Sequence, residues 1–198
     1  MPTRTAAALV AGPRVYLRPP RKSDQPAFLA AVARSRRLHR GWVIAPRTPY
    51  GFRHFVKRYA SRKTKPTHLG LLVFRKEDDA LVGVFTFSEI VRSAFKCAYL
   101  GYYAFTPQTG SGLMTEGIAL ALDAAFRRLR LHRVEVNIQP HNRRSLALAK
   151  RVGLTREGYS RRYVKVAGRW RDHVRLAILA EDWREKRAAV FARLKQHQ

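Results

Sequence analysis

The fold is decided by residues 98–130, which read AYLGYYAFTPQTGSGLMTEGIALALDAAFRRLR. This stretch predicts an aromatic-rich strand over Ala98–Phe105, a small polar loop over Thr106–Gly112 and a long helix over Leu113–Arg130, where apolar residues recur at helical spacing. A glycine-containing loop that leads into a helix N-terminus can bind an anion, because its backbone N–H groups point outward and the helix dipole favours negative charge. The unit therefore indicates a phosphate site, and a plain turn into a helix is the competing interpretation.

The sequence lacks the motifs of several other kinds of binding site. The chain has no G-x-x-x-x-G-K-[ST] run, so a P-loop kinase or ATPase is unsupported, and no full G-x-G-x-x-G, which argues against a dinucleotide-binding fold. A single cysteine, Cys97, excludes an internal disulfide and a cysteine-rich metal site. The longest apolar run, Ala6–Gly12, is far shorter than the ~20 residues of a membrane span, so we expect a cytoplasmic protein.

Strands and helices are predicted on both sides of this unit. Strands are expected at Val15–Arg18, His68–Phe74, Ala80–Ile90, Val134–Ile138, Gly158–Val166 and Trp170–Leu179. A first helix is expected to start near Ser23 or Asp24, and a second contains Phe52–Tyr59 and ends at about Arg62. Two further helices are expected from Asn142 to Val152 and from Trp183 to Leu194. We expect one α/β domain over residues 14–183, with a long antiparallel run and one right-handed βαβ crossover. Residues 1–13 are predicted as a flexible leader and residues 184–198 as a basic amphipathic helix.

The charge balance is the most unusual feature of the composition. The 198 residues suit one domain, and 46% apolar residues exclude disorder throughout. Lys and Arg number 40 against 13 Asp and Glu, which gives a formal net charge of +27. A surface this basic attracts polyanions such as ribosomal RNA or anionic lipid. A compositional bias towards arginine, with no partner behind it, is an equal interpretation.

Seven short motifs follow one another in the order of these elements. They are Ile90-Val91-Arg92, Ala98-Tyr99-Leu100-Gly101-Tyr102, Gly110–Glu116, His132-Arg133, Pro140-His141-Asn142-Arg143-Arg144-Ser145, Glu157-Gly158-Tyr159 and Trp170-Arg171-Asp172-His173. The chain thereby resembles the GNAT superfamily of acyl-CoA N-acyltransferases, and within it the RimJ branch, whose members acetylate the N-terminal alanine of a small-subunit ribosomal protein. The resemblance runs from about Val15 to Trp183. It implies a twisted, mostly antiparallel α/β sheet whose central strands splay apart between flanking helices.

The resemblance also implies that acetyl-CoA is the co-substrate and that no metal takes part. In the family, the loop before the long helix binds the coenzyme pyrophosphate through the pattern [QR]-x-x-G-x-[GA]. The matching run, Thr109–Met114, keeps Gly112 but has Thr109 in place of Gln or Arg and Met114 in place of the small residue. The implied coenzyme-binding residues are Tyr102, Tyr103, Ala104, Phe105, Thr109, Gly110, Ser111, Gly112, Leu113, Met114, Asn142 and Ser145.

The reaction is the attack of an amine on a thioester carbonyl. An N-terminal amine has a pKa of about 7.7–8.0 and a lysine amine one of about 10.4, so the lack of an obvious strong base favours an N-terminal acceptor. The resemblance implies that a backbone N–H near Tyr103 or Ala104 stabilises the oxyanion. It also implies that Ser145 protonates the departing thiolate, with a helix-capping hydroxyl as the alternative role. Glu89 and Asp172 are the candidate bases, and a salt bridge with a neighbouring arginine is the competing interpretation of Asp172.

Tyrosine acids are not expected from the sequence. A related branch of the superfamily has a tyrosine acid on the helix after Asn142, and Ala149 stands at that place here. Tyr99 and Tyr102 are interpreted as core packing residues.

Three functions remain open from the sequence. The first is acetylation of a protein N-terminus, with a ribosomal protein as acceptor, by a monomer or homodimer that docks on the ribosome or RNA through its basic surface. The second is acetylation of small amines or antibiotics, although sites for polyamines and aminoglycosides need acidic walls and the chain has 13 carboxylates. The third is a non-catalytic protein of the same fold that binds RNA or ribosomes.

Overall fold

One eight-stranded sheet organises the computed structural model, which describes residues 8–60 and 67–196. The strands are β1 (Val10–Ala11), β2 (Val15–Arg18), β3 (Leu69–Arg75), β4 (Leu81–Val91), β5 (Cys97–Ala104), β6 (Arg133–Ile138), β7 (Thr155–Val166) and β8 (Arg169–Leu179). Their order across the sheet is β1-β2-β3-β4-β5-β6-β8-β7. Neighbouring strands are antiparallel except β5 and β6, which are parallel. The predicted α/β class with a mostly antiparallel sheet is therefore confirmed.

Five α-helices lie between the strands and a sixth follows the last strand in the described part of the chain. They are α1 (Gln25–Arg34), α2 (Arg36–His39), α3 (Pro49–Tyr59), α4 (Leu113–Asp123), α5 (Arg143–Arg151) and α6 (Ala180–Gln196). Helix α4 continues as a π-helical turn over Ala124–Arg128, so the predicted long helix is present but changes its hydrogen-bonding pattern in its last turn. Helix α4 connects the parallel strands β5 and β6, as expected for the crossover.

The two faces of the sheet carry separate hydrophobic clusters, because side chains alternate along each strand. Leu71 and Val73 of β3 belong to the cluster that includes α4, α5 and α6, which we call the α4 face. Leu72 and Phe74 belong to the cluster that includes α1 and α3, which we call the α3 face. A coenzyme or substrate that enters between the strands therefore meets different walls on the two faces.

Both ends of the described chain differ from the expectation. Residues 1–7 of the predicted leader lie outside the described residues, but Val10 and Ala11 pair with β2, and the Leu9 N–H donates to the Leu17 carbonyl at 2.8 Å. Helix α6 begins at Ala180, before the expected boundary at residue 184. Its Trp183, Val190 and Leu194 side chains are buried in the α4-face cluster, so this segment completes the core. Helix α3 ends at Tyr59, and its predicted continuation to Arg62 lies outside the described residues.

Candidate active site

The parallel strands β5 and β6 separate in the middle of the sheet. They pair only from Cys97 to Tyr99 of β5 with Arg133 to Glu135 of β6. Beyond this point β5 stays paired with β4 as far as Ala104, and β6 stays paired with β8 as far as Ile138. The backbone edge of β5 that faces β6 therefore has no strand partner after Tyr99, as the expected splay requires.

The register with β4 decides which backbone groups face this gap. The Phe105 N–H donates to the Val82 carbonyl at 2.8 Å. Antiparallel ladders use alternate residues, so the Tyr103 N–H also points at β4, and the N–H groups of Tyr102 and Ala104 point into the gap. The expectation of an oxyanion donor at Tyr103 or Ala104 thus narrows to Ala104. The Phe105 side chain is fully buried and its N–H is bonded to Val82, so neither faces the gap.

His39, at the end of α2, closes one end of the open edge. Its Nε2 lies 2.8 Å from the Ala104 carbonyl oxygen, which can only accept, so Nε2 carries the proton. The ring packs against Tyr103 and Phe105 with centroid distances of 5.2 and 5.7 Å. Burial lowers the pKa of His39, and the nearby Arg47 charge lowers it further. A neutral His39 therefore holds the last carbonyl of β5.

The loop between β5 and α4 presents backbone rather than side chains. Gly110 and Gly112 have φ angles of +86° and +77°, which favour glycine, and Gly112 is the N-cap of α4. Thr109, Gly110 and Ser111 are exposed, whereas the Leu113 and Met114 side chains are buried. Met114 fills the space beside Gly83, where a Cβ would meet its Sδ. The bulky residue at the family's small position is thus accommodated by a glycine on β4.

Arg14 brings a cation to this loop from the start of the domain. Its Nε donates to Glu116 Oε2 at 3.0 Å, and one terminal nitrogen donates to the Ser111 carbonyl at 3.2 Å. Glu116 is fully buried, and its Oε1 also accepts from the backbone N–H groups of Arg14 and Val15. Sequence reasoning missed this cluster because its members lie about one hundred positions apart and no local pattern links them.

Ser145 and Tyr102 form a hydrogen-bonded pair on the α4 face. Ser145 Oγ donates to the Tyr102 phenol oxygen at 2.9 Å, and the Tyr102 hydroxyl donates to the Ser145 carbonyl at 3.0 Å. Asn142 caps α5, as predicted, by accepting from the Ser145 N–H at 3.2 Å. Burial raises the pKa of Tyr102 to about 12, so the phenol stays protonated near neutrality. The expectation that Tyr102 only packs in the core is incomplete, because its hydroxyl contacts the proposed acid.

Glu89 lies in a bulge of β4. Its φ of +49° coincides with a register shift between Ser88 and Val91. The side chain is 65% exposed, and Oε1 lies 3.6 Å from His68 Nε2. Within the described residues, no hydrogen bond joins Glu89 to Ser145 or Tyr102.

Asp172 has both carboxylate oxygens engaged in the β7–β8 hairpin. They accept hydrogen bonds from the Tyr159 hydroxyl and from the Arg162 backbone N–H. These bonds lower the pKa of Asp172, which makes it a weaker base. Asp172 faces a bulge of β7 between Ser160 and Val164, and this bulge includes Tyr163. The Tyr163 hydroxyl hydrogen-bonds to Tyr99, which raises the pKa of Tyr99 to about 12. The expected arginine salt bridge of Asp172 is thus replaced by a bond to the arginine's backbone.

A cavity of about 700 Å³ lies on the α3 face over β4 and β5. Thr86 and Tyr103 form part of its floor, and Tyr59, Arg58, Lys57 and His54 of α3 line one side. No carboxylate lines it among the described residues. The Tyr103 hydroxyl is buried and has no hydrogen-bond partner in residues 8–60 and 67–196.

Residues 8–60 and 67–196 contain neither a metal-binding cluster nor a membrane-spanning helix. No group of three or more His, Cys, Asp or Glu side chains there could hold a metal ion. None of the helices described there is both long enough and apolar enough to span a membrane.

Sequence comparisons point to one family. A family model described as "Acetyltransferase (GNAT) domain" matches residues 14–155. The chain is 32% identical over 178 residues to a Bacillus subtilis (strain 168) protein named "Probable N-acetyltransferase YjcK", which covers 88% of this chain and 98% of that one. It is 39% identical over 111 residues to ribosomal protein uS5-alanine N-acetyltransferase of Escherichia coli (strain K12), covering 56% of this chain and 57% of that one.

Solved structures share the whole architecture. Mycobacterium smegmatis RimJ in complex with CoA-disulfide superposes with a TM-score of 0.83 at 26% identity, covering 91% of this chain and 89% of that one. The ribosomal-protein-S5-alanine acetyltransferase of Vibrio fischeri has a TM-score of 0.78 over 88% of this chain and 97% of that one. At 22% identity, the second match shows a common fold alone.

Proposed function

Since the chain belongs to the GNAT family of acetyltransferases, which use acetyl-CoA, we propose that it acetylates the α-amine of a protein N-terminus. The acceptor that we infer is the N-terminal alanine of a small-subunit ribosomal protein, because a relative 39% identical over 111 residues is named for alanine of ribosomal protein uS5. The observation that carries the proposal is the open edge of β5 next to the Ser145–Tyr102 pair. That arrangement combines free backbone donors with a hydroxyl acid at one gap.

The residues around the gap fit acetyl-CoA, which supplies an acetyl thioester when bound. The exposed backbone of Thr109, Gly110 and Ser111 at the N-terminus of α4 suits a pyrophosphate, since N–H groups and the helix dipole both favour an anion. The open backbone groups of Tyr102 suit the amides of a pantetheine arm, as a strand would, since His39 holds the Ala104 carbonyl. Tyr103, Phe105, Leu113 and Met114 contribute packing behind this surface rather than contacts to it.

The chemistry needs a neutral amine, a stabilised oxyanion and a protonated leaving group. The amine nitrogen attacks the thioester carbonyl in a ternary complex, and the Ala104 N–H stabilises the oxygen that becomes negative. As the C–S bond breaks, the thiolate sulfur takes the proton of Ser145 Oγ. In the structure Ser145 Oγ donates to Tyr102 and Tyr102 donates to the Ser145 carbonyl, so both hydroxyls rotate for this step. The protonated Tyr102 hydroxyl, 2.9 Å away, then replaces the lost proton and is itself reprotonated by solvent.

The acceptor amine needs little help to lose its proton. Near pH 7 a substantial minority of α-amines is neutral, whereas a lysine amine is almost wholly charged. Glu89 and Asp172 are both at the surface, and neither bonds to Ser145 or Tyr102 within the described residues. A water molecule or Glu89 accepts the proton in this scheme, and Asp172 positions the hairpin.

The basic surface supports a ribosomal acceptor. The β7–β8 hairpin exposes Trp170 and Tyr163 at 60% and 36%, next to the exposed Arg161 and Arg169. Cations that follow a phosphate backbone and aromatics on which bases stack are the usual combination for single-stranded nucleic acid. We place RNA docking on this hairpin, where it raises the local concentration of a ribosome-bound N-terminus.

The test is an acetylation assay with an Ala-initiated peptide, a lysine peptide with a blocked N-terminus, and spermidine. Thiol release and mass spectrometry report turnover and the modified atom. We expect the Ala-initiated peptide to be acetylated at its α-amine and the other two to react at least tenfold more slowly. Preferred turnover of spermidine would establish the small-amine alternative, and binding of acetyl-CoA without turnover of any amine would establish the non-catalytic one.

A further inference from the structure

The cavity on the α3 face has no assigned occupant. Its floor includes Tyr103, which belongs to the strand whose other edge is open at the gap. Its volume of about 700 Å³ lies in the range of small-molecule and peptide pockets, roughly 300–1,000 Å³. It is therefore large enough for several peptide side chains close to the reacting centre.

One polar atom in the floor lacks a partner. The Tyr103 hydroxyl is buried without a hydrogen bond in residues 8–60 and 67–196, and burial raises the pKa of Tyr103, so the group stays a neutral donor. Buried polar atoms are normally paired, because an unpaired one costs its desolvation free energy. A ligand carbonyl in the cavity would satisfy this hydroxyl once the side chains that cover its oxygen shift.

The charges of the wall have one sign. Lys57 forms no ion pair in the described part of the chain, and Arg58 donates to His68 Nε2 at 2.9 Å, an acceptor without negative charge. The His54 ring, whose centroid lies 4.3 Å from that of Tyr50, lines the same wall. Glu89 contacts His68 and does not line the cavity. The cavity therefore favours an anionic over a cationic occupant.

We propose that this cavity receives the acceptor segment that follows the N-terminal amine, and that it selects an Asp or Glu within residues two to four. The inference rests on the proposed function. An extended chain advances about 3.3–3.6 Å per residue, so these positions fall within the reach of a cavity that begins at β5. The Tyr103 hydroxyl donates to a carbonyl of the segment, and Lys57 and Arg58 attract the carboxylate.

The experiment measures kcat/KM on matched Ala-initiated peptides that carry Glu or Lys at position two, three or four. We expect a three- to tenfold preference for Glu at one position, the size that a partly exposed charge pair supports. Lys57→Glu should remove or invert this preference. Arg184→Glu, an exposed charge reversal on α6, should leave it unchanged. Tyr103→Phe should raise KM for every peptide and leave KM for acetyl-CoA unchanged.

The outcomes separate this inference from the proposed function. Acetylation of N-termini with equal rates for Glu and Lys peptides, or a preference that survives Lys57→Glu, overturns the selectivity alone. If no N-terminus is acetylated, the proposed function fails. Fluorescence anisotropy of labelled peptides on the CoA-bound chain then tests the cavity directly. Tighter binding of the Glu peptide, lost in Lys57→Glu, supports the inference, and equal binding overturns it.

Discussion

Ser145 and Tyr102 lie on different elements, 43 positions apart, and their hydroxyl oxygens are 2.9 Å from each other. The tyrosine stands on the open strand β5 and the serine in the first turn of α5. The pair thus joins the strand that lines the gap to the helix that flanks it.

The first prediction concerns this pair. Ser145→Ala should lower kcat by about 10- to 100-fold, because water replaces the acid poorly, while acetyl-CoA affinity changes little. Tyr102→Phe should lower kcat by less, since Ser145 keeps its own proton and loses only its resupply. Steady-state kinetics and calorimetry on both variants check this. A Ser145→Ala enzyme with unchanged kcat would return the serine to a capping role.

The second prediction concerns the phosphate loop. Gly112→Val should weaken acetyl-CoA binding at least tenfold, about 1.4 kcal/mol, because its φ of +77° is strained for valine and its Cβ would lie 3.3 Å from the Arg14 guanidinium that supports the loop. Gly168→Val is the matched control, with a φ of +80° and open space around it in the β7–β8 turn. Calorimetry should show normal affinity for the control. Equal weakening in both variants would count against a phosphate site at this loop.

Sequence periodicity predicts helix α4 and the loop before it but misses the Arg14–Glu116 contact that supports the loop. The apolar spacing of residues 113–122 and the glycines before them identify α4 and its start, because both signals are local. Arg14 and Glu116 lie 102 positions apart in the sequence, and only tertiary packing brings them into contact. The GNAT fold follows from the motifs and is confirmed by the structural match to RimJ.

Helix α6 illustrates a different failure. Its amphipathic pattern predicts one apolar stripe, and Trp183, Val190 and Leu194 follow a spacing of seven and four that places them on one buried seam. The predicted boundary at residue 184, however, separates this helix from the domain whose core it completes. Such a helix shows that charge informs association and not packing.

The third prediction concerns His39. Its pKa is lowered in the folded chain, so the unfolded chain binds more protons between that pKa and the ordinary value near 6.5. Stability is therefore complete above about pH 6.5 and falls as pH drops through the folded pKa. His39→Gln keeps a donor for the Ala104 carbonyl and does not titrate. Urea unfolding between pH 7 and pH 5 should show a smaller loss for the variant than for the parent chain, and identical losses would contradict the assignment.

The fourth prediction concerns the β7–β8 hairpin. Turnover on ribosome-bound target should fall about tenfold or more from low to moderate salt, through counterion release, and turnover on a short free peptide should change much less. Removing α6 is an unsuitable test because its buried side chains complete the core. Trp170→Ala should instead slow turnover on the ribosome-bound target and spare the peptide. Phe95→Ala, another exposed aromatic, is the control. If turnover on both substrates depended equally on salt, the net charge of +27 would be a compositional bias with no docking role.

Because Arg14 contacts Glu116, the strand–loop–helix unit of residues 98–130 depends on a residue outside it. The first turn of α4 is tied to the strand where the domain begins, so the loop has its binding shape only once the sheet has assembled around both. Residues 98–130 grafted into another protein would keep the motif but lose the contact with Arg14. If this loop binds the coenzyme as proposed, its affinity is a property of the whole domain, distributed between sequence positions that a motif search treats as unrelated.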